Sequence, residues 1–441
     1  MLRDIARIFR DPLAYLTGIR AEFGPVVAFP TRPTPAWLVD DPDAVDRVLR
    51  TNAGNYTKQT VQYGALSLLT GDGLLTADNP QWLPRRREVG PAFHRGTLDR
   101  LVGCVDTAAD GLDADLAAQL ATAPARHTGR TVDVDGPLMR ATLDVVSRGL
   151  FSAELSRGDA TGPDIAGAVL DGLEEVIRRA TRPVHAPRGW PTPGNRRLAR
   201  SLATLDDAVD QVVTSRVGAP PPAEPDVLDL LLAAVADPRG VRDEAVTLVV
   251  AGHETVASAM EWAAHLLATH PDVQDRVAAE AAAVLAGPGT PTLADLARLP
   301  LARAVLDETL RLYPPAWVVT RRATEDDELA GHRLPAGTLV IVSPWVRHRD
   351  PAVWDDPARF DPDRFLDADP GAGRPTAAYL PFGIGPRLCI GRDFALLEAT
   401  LLLARLTLRW RLAPVPGHRV VPSPRVTVRP RGGLPLLVSP R

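Results

Sequence analysis

Cysteine is nearly absent from this 441-residue chain: Cys104 and Cys389 are the only two. That excludes a disulfide framework, makes a reducing cytoplasm the expected compartment, and leaves each thiol to be judged alone. Lysine is scarcer still. Among 50 basic residues only Lys58 is a lysine, which reads as the imprint of a GC-rich coding bias rather than of arginine-specific chemistry. No apolar run is long enough for a membrane anchor. Glu244–His270 is interrupted by His253 and Glu254, and Phe394–Leu408 by Glu398 and Arg405, so both fall short of ~18 uncharged apolar residues. The opening MLRDIARIFRDPLAYL carries charges inside what would be the core of an export signal, so none is expected; Arg3, Arg7 and Arg10 suit one side of a short surface helix. A large excess of charge of one sign is missing too. A formal charge of −4 excludes a strongly basic nucleic-acid-binding surface.

What is present is ordinary globular material, 45% apolar and 24% charged. The length would allow about three domains, but no repeat or long linker divides it, and a single catalytic domain over 1–441 is expected. The 43 prolines are twice the usual ~5% share. They concentrate in residues 183–194 and 218–225, which read as loops between helices. Residues 24–40 predict two short strands, and helical periodicity dominates from 42 to 217. Arg242–His270 and Leu301–Tyr313 predict helices that stop at His270-Pro271 and Pro314-Pro315. Short β-like runs follow in 316–345 and near the C-terminus, with a last helix over Gly391–Leu408. The fold class expected is mainly α with a small β part (α+β); no strand–helix alternation supports a Rossmann fold or a barrel.

The strongest chemical signal is Phe382-Gly383-Ile384-Gly385-Pro386-Arg387-Leu388-Cys389-Ile390-Gly391, leading straight into a helix. A cysteine just before a helix N-terminus meets backbone N–H groups that favour the thiolate, and the glycines permit close backbone approach. Arg387 can supply a counter-charge to an anionic ligand. No second Cys or His stands at zinc-ligand spacing, so a single axial bond to a metal suits Cys389 better than a zinc site. Cys104, in an apolar helix, reads as a buried hydrophobe.

This loop resembles the haem-binding signature of the cytochrome P450 family, Phe-x-x-Gly-x-Arg-x-Cys-x-Gly, at every fixed position. The resemblance implies a P450-like fold with haem b (iron protoporphyrin IX) between the long central helix and the Cys loop, and Cys389 as the metal ligand, its thiolate favouring O–O cleavage. Phe382, Gly383, Gly391 and Ala251 would surround the cofactor, and Arg387 would pair with a propionate. Other elements follow in the family's order. Glu308 and Arg311, three apart on one helix, with Arg364 in Phe360-Asp-Pro-Asp363-Arg364-Phe365, resemble a structural Glu–Arg–Arg cluster; Asp363 stands where glutamate is commoner. Ala251-Gly252-His253-Glu254-Thr255 resembles the oxygen-binding groove, with Thr255 bonding dioxygen, Glu254 relaying protons and His253 packing. Local loosening of the helix is expected there. Trp82 and Arg86 resemble a propionate-binding pair, although Pro84 requires a helix start or kink nearby, so that Arg85 or Arg87 could replace Arg86. Arg321 matches a further propionate arginine.

By family position the substrate pocket would draw on Thr247, Leu248, Ala251, Trp317, Val318, Val319 and Leu434, under a mobile lid from 60–75 and 165–200. An uncharged, mainly apolar pocket implies a small hydrophobic substrate such as a terpene, polyketide or fatty-acyl-like molecule, handled in secondary metabolism. The chain, a monomer with no fused reductase, would take electrons from a separate ferredoxin and NAD(P)H-dependent ferredoxin reductase, docking by Arg387 and Arg392. The competing readings are a peroxide-driven peroxygenase, an oxidative-coupling or isomerase enzyme, and a non-catalytic haem-binding protein. The acid–alcohol pair Glu254–Thr255 weighs against the peroxygenase, the isomerase and the non-catalytic protein; oxidative coupling stays open.

Overall fold

The computed structural model describes residues 8, 10–29, 35–93, 95–123, 125–126, 129–154, 164–181, 185–216, 225–235, 237–287, 289–366 and 375–441. Arg3 and Arg7 of the expected N-terminal helix, and parts of both proline-rich stretches and of the expected lid, lie outside them. As the α+β reading requires, helices dominate and the strands are short.

The central helix, Pro238–Thr269, forms the axis of the molecule. Asp237 caps it by accepting from the Arg239 amide at 3.2 Å, and Pro238 occupies the first position, where no donor is needed. It ends at His270 because Pro271 cannot extend the ladder and instead opens the helix Pro271–Leu285. Of its 32 residues 24 are buried, so it is covered on all sides by other helices. Gly252 sets its approach to the helix Asp135–Phe151: a Cβ there would lie 2.9 Å from Val146 Cγ2. The helix continues unbroken through this motif. The expected loosening reduces to one added bond, Thr255 Oγ1 donating to the Ala251 carbonyl at 2.7 Å.

Pro300–Leu312 and Arg392–Arg409 pack beside this axis, and Val61–Thr70, Trp82–Val89 and Ile165–Thr181 close it off above. A five-stranded sheet runs Val26–Phe29, Ala36–Val39, Leu339–Val342, Val319–Ala323, Tyr56–Thr57; only the second and third strands are parallel. A second sheet pairs Pro435–Pro440 with Trp410–Pro414 and with Gly129–Asp133. The last of these is a strand that helical periodicity over 42–217 does not show, because its partner lies some 300 residues away. A hairpin, Pro422–Pro424 with Val428–Pro430, lies against the central helix. Among the described residues no helix is long and apolar enough to cross a membrane.

Candidate active site

The cysteine loop is shaped by one steric demand. Gly385 has φ +73°, and a Cβ on it would fall 2.2 Å from the Leu49 carbonyl oxygen, so only glycine fits. Two amides then close the loop: Leu388 N–H donates to Gly385 O and Cys389 N–H to Phe382 O, both at 3.0 Å. The thiol opens into a cavity of about 360 Å³. Burial pushes the Cys389 thiol above its ordinary value, while the Gly391 amide, Arg86 and Arg392 pull it down. A bound metal cation would add to the pull of the Gly391 amide and the two arginines and favour the thiolate. Among the described residues no group of three or more His, Cys, Asp or Glu could hold a metal ion.

One wall of the cavity is cationic. Lys58, Arg86, Arg321 and Arg387 all line it. Lys58 Nζ donates to Leu75 O at 2.7 Å and sits 4.8 Å from the Tyr63 ring. Arg321 donates to Thr320 O at 2.8 Å and to the Tyr63 hydroxyl at 3.3 Å. Arg387 lies 4.0 Å over the Trp82 ring, reaching Ala77 O at 2.8 Å and Asp78 at 3.1 Å. Burial, reinforced by Arg321 and Arg387, drives the Lys58 ammonium well below its usual value; burial takes Arg387 down to about 10. Asp78 is the only acid bonded to these side chains among the described residues. So much buried positive charge with one acid to balance it fits an anionic guest, and the two carboxylates of a porphyrin suit it. Lys58 is the member that sequence reasoning missed. The signal was its solitude among arginines, explained instead as codon bias.

The ambiguity around Pro84 resolves. The helix starts at Trp82, so Pro84 falls in its first turn and breaks no internal bond. Arg85 turns to Glu244 at 3.0 Å and Arg87 is exposed, leaving Arg86 on the wall. Arg322 is held elsewhere, by Gln59 O and Gly337 O. Arg387 points inward, which corrects its expected part in docking a redox partner; Arg392 is on the surface, paired with Asp393 at 2.8 Å.

The opposite wall comes from the central helix: Thr247, Leu248, Ala251, Glu254 and Thr255, faced by Val318 and Val319. Phe382, Gly383 and Gly391 close the cavity on the thiol side. Glu254 is buried, its Oε1 accepting from the Thr427 hydroxyl. Burial raises its carboxyl, while Thr427 and Arg429 pull it down. His253 is not in the wall; it is fully buried beside Met139, and burial lowers its pKa to about 3. Two expected pocket residues are misplaced. Trp317 turns away to donate its indole N–H to Arg425 O at 2.9 Å, and Leu434 sits in the core, its amide held by Asp133 at 2.8 Å. Val426 and Thr427, from the hairpin turn, take their place. Of the expected lid, Gln62, Tyr63, Leu66, Leu74, Leu75 and Leu173 reach the cavity.

Behind the loop, Arg311 meets both oxygens of Glu308 at 2.6 and 2.7 Å, each side chain fully buried. Its remaining donors reach His348 O, Pro357 O and Arg359 O at 2.8–3.0 Å. Arg364 lies 3.5 Å from Glu308, and His348 accepts the Leu380 amide at 2.7 Å, two residues before Phe382. The cluster thus anchors the backbone that enters the cysteine loop. Asp363 points outward to Arg276 at 2.7 Å.

A lone thiol facing an acid–alcohol pair across a cavity with a cationic wall is the arrangement of a haem-thiolate oxygenase. The family model for cytochrome P450 matches residues 5–436. The chain belongs to the cytochrome P450 family, and it is a P450 monooxygenase. It is 36% identical to cyclooctatin synthase of Streptomyces melanosporofaciens over 98% of this chain and 92% of that one. It is 35% identical to cyclooctat-9-en-7-ol 5-monooxygenase of the same organism over 100% and 94%. Pentalenene oxygenase of Streptomyces avermitilis is 34% identical over 96% and 91%.

Proposed function

We propose that the protein inserts one oxygen atom from O₂ into an aliphatic, terpene-like molecule in secondary-metabolite biosynthesis, using haem b. The observation that carries this reading is the pairing of Glu254 and Thr255 with an aliphatic wall of Leu66, Leu248, Val318, Val319 and Val426. Two of the relatives' names specify an alkene and an unsaturated alcohol as what they act on, which suits such a wall. When bound, the haem supplies the oxidising chemistry. This chain's own residues then have defined tasks. Cys389 ligates the iron; Arg86, Arg321, Arg387 and Lys58 neutralise the propionates, with Trp82 stacked on Arg387; Thr255 and Glu254 hold and deliver protons beside the oxygen site. A peroxide-driven enzyme would not need that pair. The whole chain acts as one monomeric cytoplasmic catalytic domain, receiving electrons from a separate ferredoxin and its reductase, with Arg392 on the docking face.

The test is a titration of the purified ferric protein with terpenes, macrolides, fatty acids and aromatic peptides, following the haem Soret band. A high-spin shift with terpenes supports the reading. A shift confined to aromatic peptides overturns the substrate class, and a protein with no Soret band overturns the function.

A further inference from the structure

Glu254 is held from outside its own helix. Residues 254, 258, 261 and 262 share one face of the central helix, and the C-terminal hairpin is fastened along it. The Thr427 hydroxyl donates to Glu254 Oε1, Ser258 Oγ and Trp262 Nε1 both donate to Val428 O at 2.8 and 2.7 Å, and Arg429 pairs with Glu261 and Asp135. The four helix residues are at most 4% exposed, so the contacts are fixed within the core. Thr427 lines the cavity together with Glu254, and Glu254 Oε2 has no hydrogen-bond partner among the described residues. One carboxyl oxygen is clamped and the other is uncommitted. That is the geometry of an acid aimed by its neighbour, since the Thr427 hydroxyl holds one oxygen and leaves the other open.

We propose that Thr427, in the turn of the hairpin, is the positioning residue for Glu254. This rests on the reading of Glu254 as the proton donor of the oxygen site. The charged groups that face Glu254 are Arg429 and Arg425, which favour its ionised form, and Asp135, which opposes it. The C-terminal hairpin is thereby part of the proton-handling apparatus and not only a wall of the pocket.

The experiment is infrared difference spectroscopy on the full-length haem-loaded protein, with the Glu254 carboxyl band identified by its loss in Glu254→Gln. Thr427→Val, which keeps the shape and removes the donor, is expected to move that band to higher frequency and to raise the pH at which acid converts to carboxylate. Thr427→Ser is expected to restore both. A purely packing role for Thr427 would leave the conversion pH where it is. An unmoved band in Thr427→Val, or a Thr427→Ser that restores nothing, overturns the proposal. Because the band is read without turnover, failure of the proposed oxygenation is distinguished separately: no compound in the panel would shift the Soret band, whatever the Glu254 band does.

Discussion

Two buried glutamates, both foreseen in the sequence, end up in opposite situations. Glu308 has every oxygen taken: Arg311 on both, the Asp361 amide on Oε1 at 2.9 Å and Arg364 close by. Glu254, equally buried, has one oxygen bonded and one unfilled. A carboxylate saturated by a fork of guanidinium donors has nothing left to exchange, whereas one with a spare oxygen can take or give a proton. Satisfaction of hydrogen bonds, more than burial or helix position, separates the acid that braces from the one proposed to handle protons.

The sharpest way to break this comparison is to remove one partner on each side. Arg311→Ala should leave Glu308 buried and unpaired, at a cost of about 3–5 kcal/mol in a denaturant titration and with poor haem retention. Glu254→Gln should leave the unfolding midpoint near that of the parent while slowing product formation by about 10²-fold. If both variants lost stability equally, the distinction would collapse. Next in size, Thr255→Ala should go on consuming NADPH while yielding several-fold less product; unchanged coupling would take Thr255 out of proton handling. A gradual effect, small per pH unit, concerns acid. His253 and His348 are buried, and burial takes each to about 3. The unfolded chain takes up their protons near pH ~6.5 and the folded chain does not. Stability is therefore full above that pH and falls as pH drops toward 3, by up to ~1.4 kcal/mol per pH unit for each histidine. Denaturant midpoints at several pH values check this, and His253→Gln should flatten the slope. The least effect belongs to Arg276→Ala, which removes only the exposed pair with Asp363 and should cost no more than ~1 kcal/mol.

Much of this architecture is legible along the chain. The ends of the helices Pro238–Thr269, Pro300–Leu312 and Arg392–Arg409 fall within four residues of the expected positions, and proline sets the first two locally. The cysteine loop is legible because its constraints, a glycine at φ +73° and a thiol before a helix, are local as well. What escapes is whatever depends on distant segments meeting. Lys58 joins Arg321 and Arg387 only through folding, and nothing near residue 58 announces it. Trp317 and Leu434 lie next to, or in, short extended segments, where facing the cavity or the core depends on which partner is reached first; Arg425 and Asp133 decide it.

The placement of the C-terminal hairpin also ties distant stretches of chain to one site. Thr427 clasps Glu254, and Pro435–Val438 pair with Arg130–Asp133, so residues 427–438 complete both the acid's setting and a sheet begun some 300 residues earlier. The cysteine loop and the central helix are each continuous pieces of chain, but the cavity they line has all its walls only when this segment is docked.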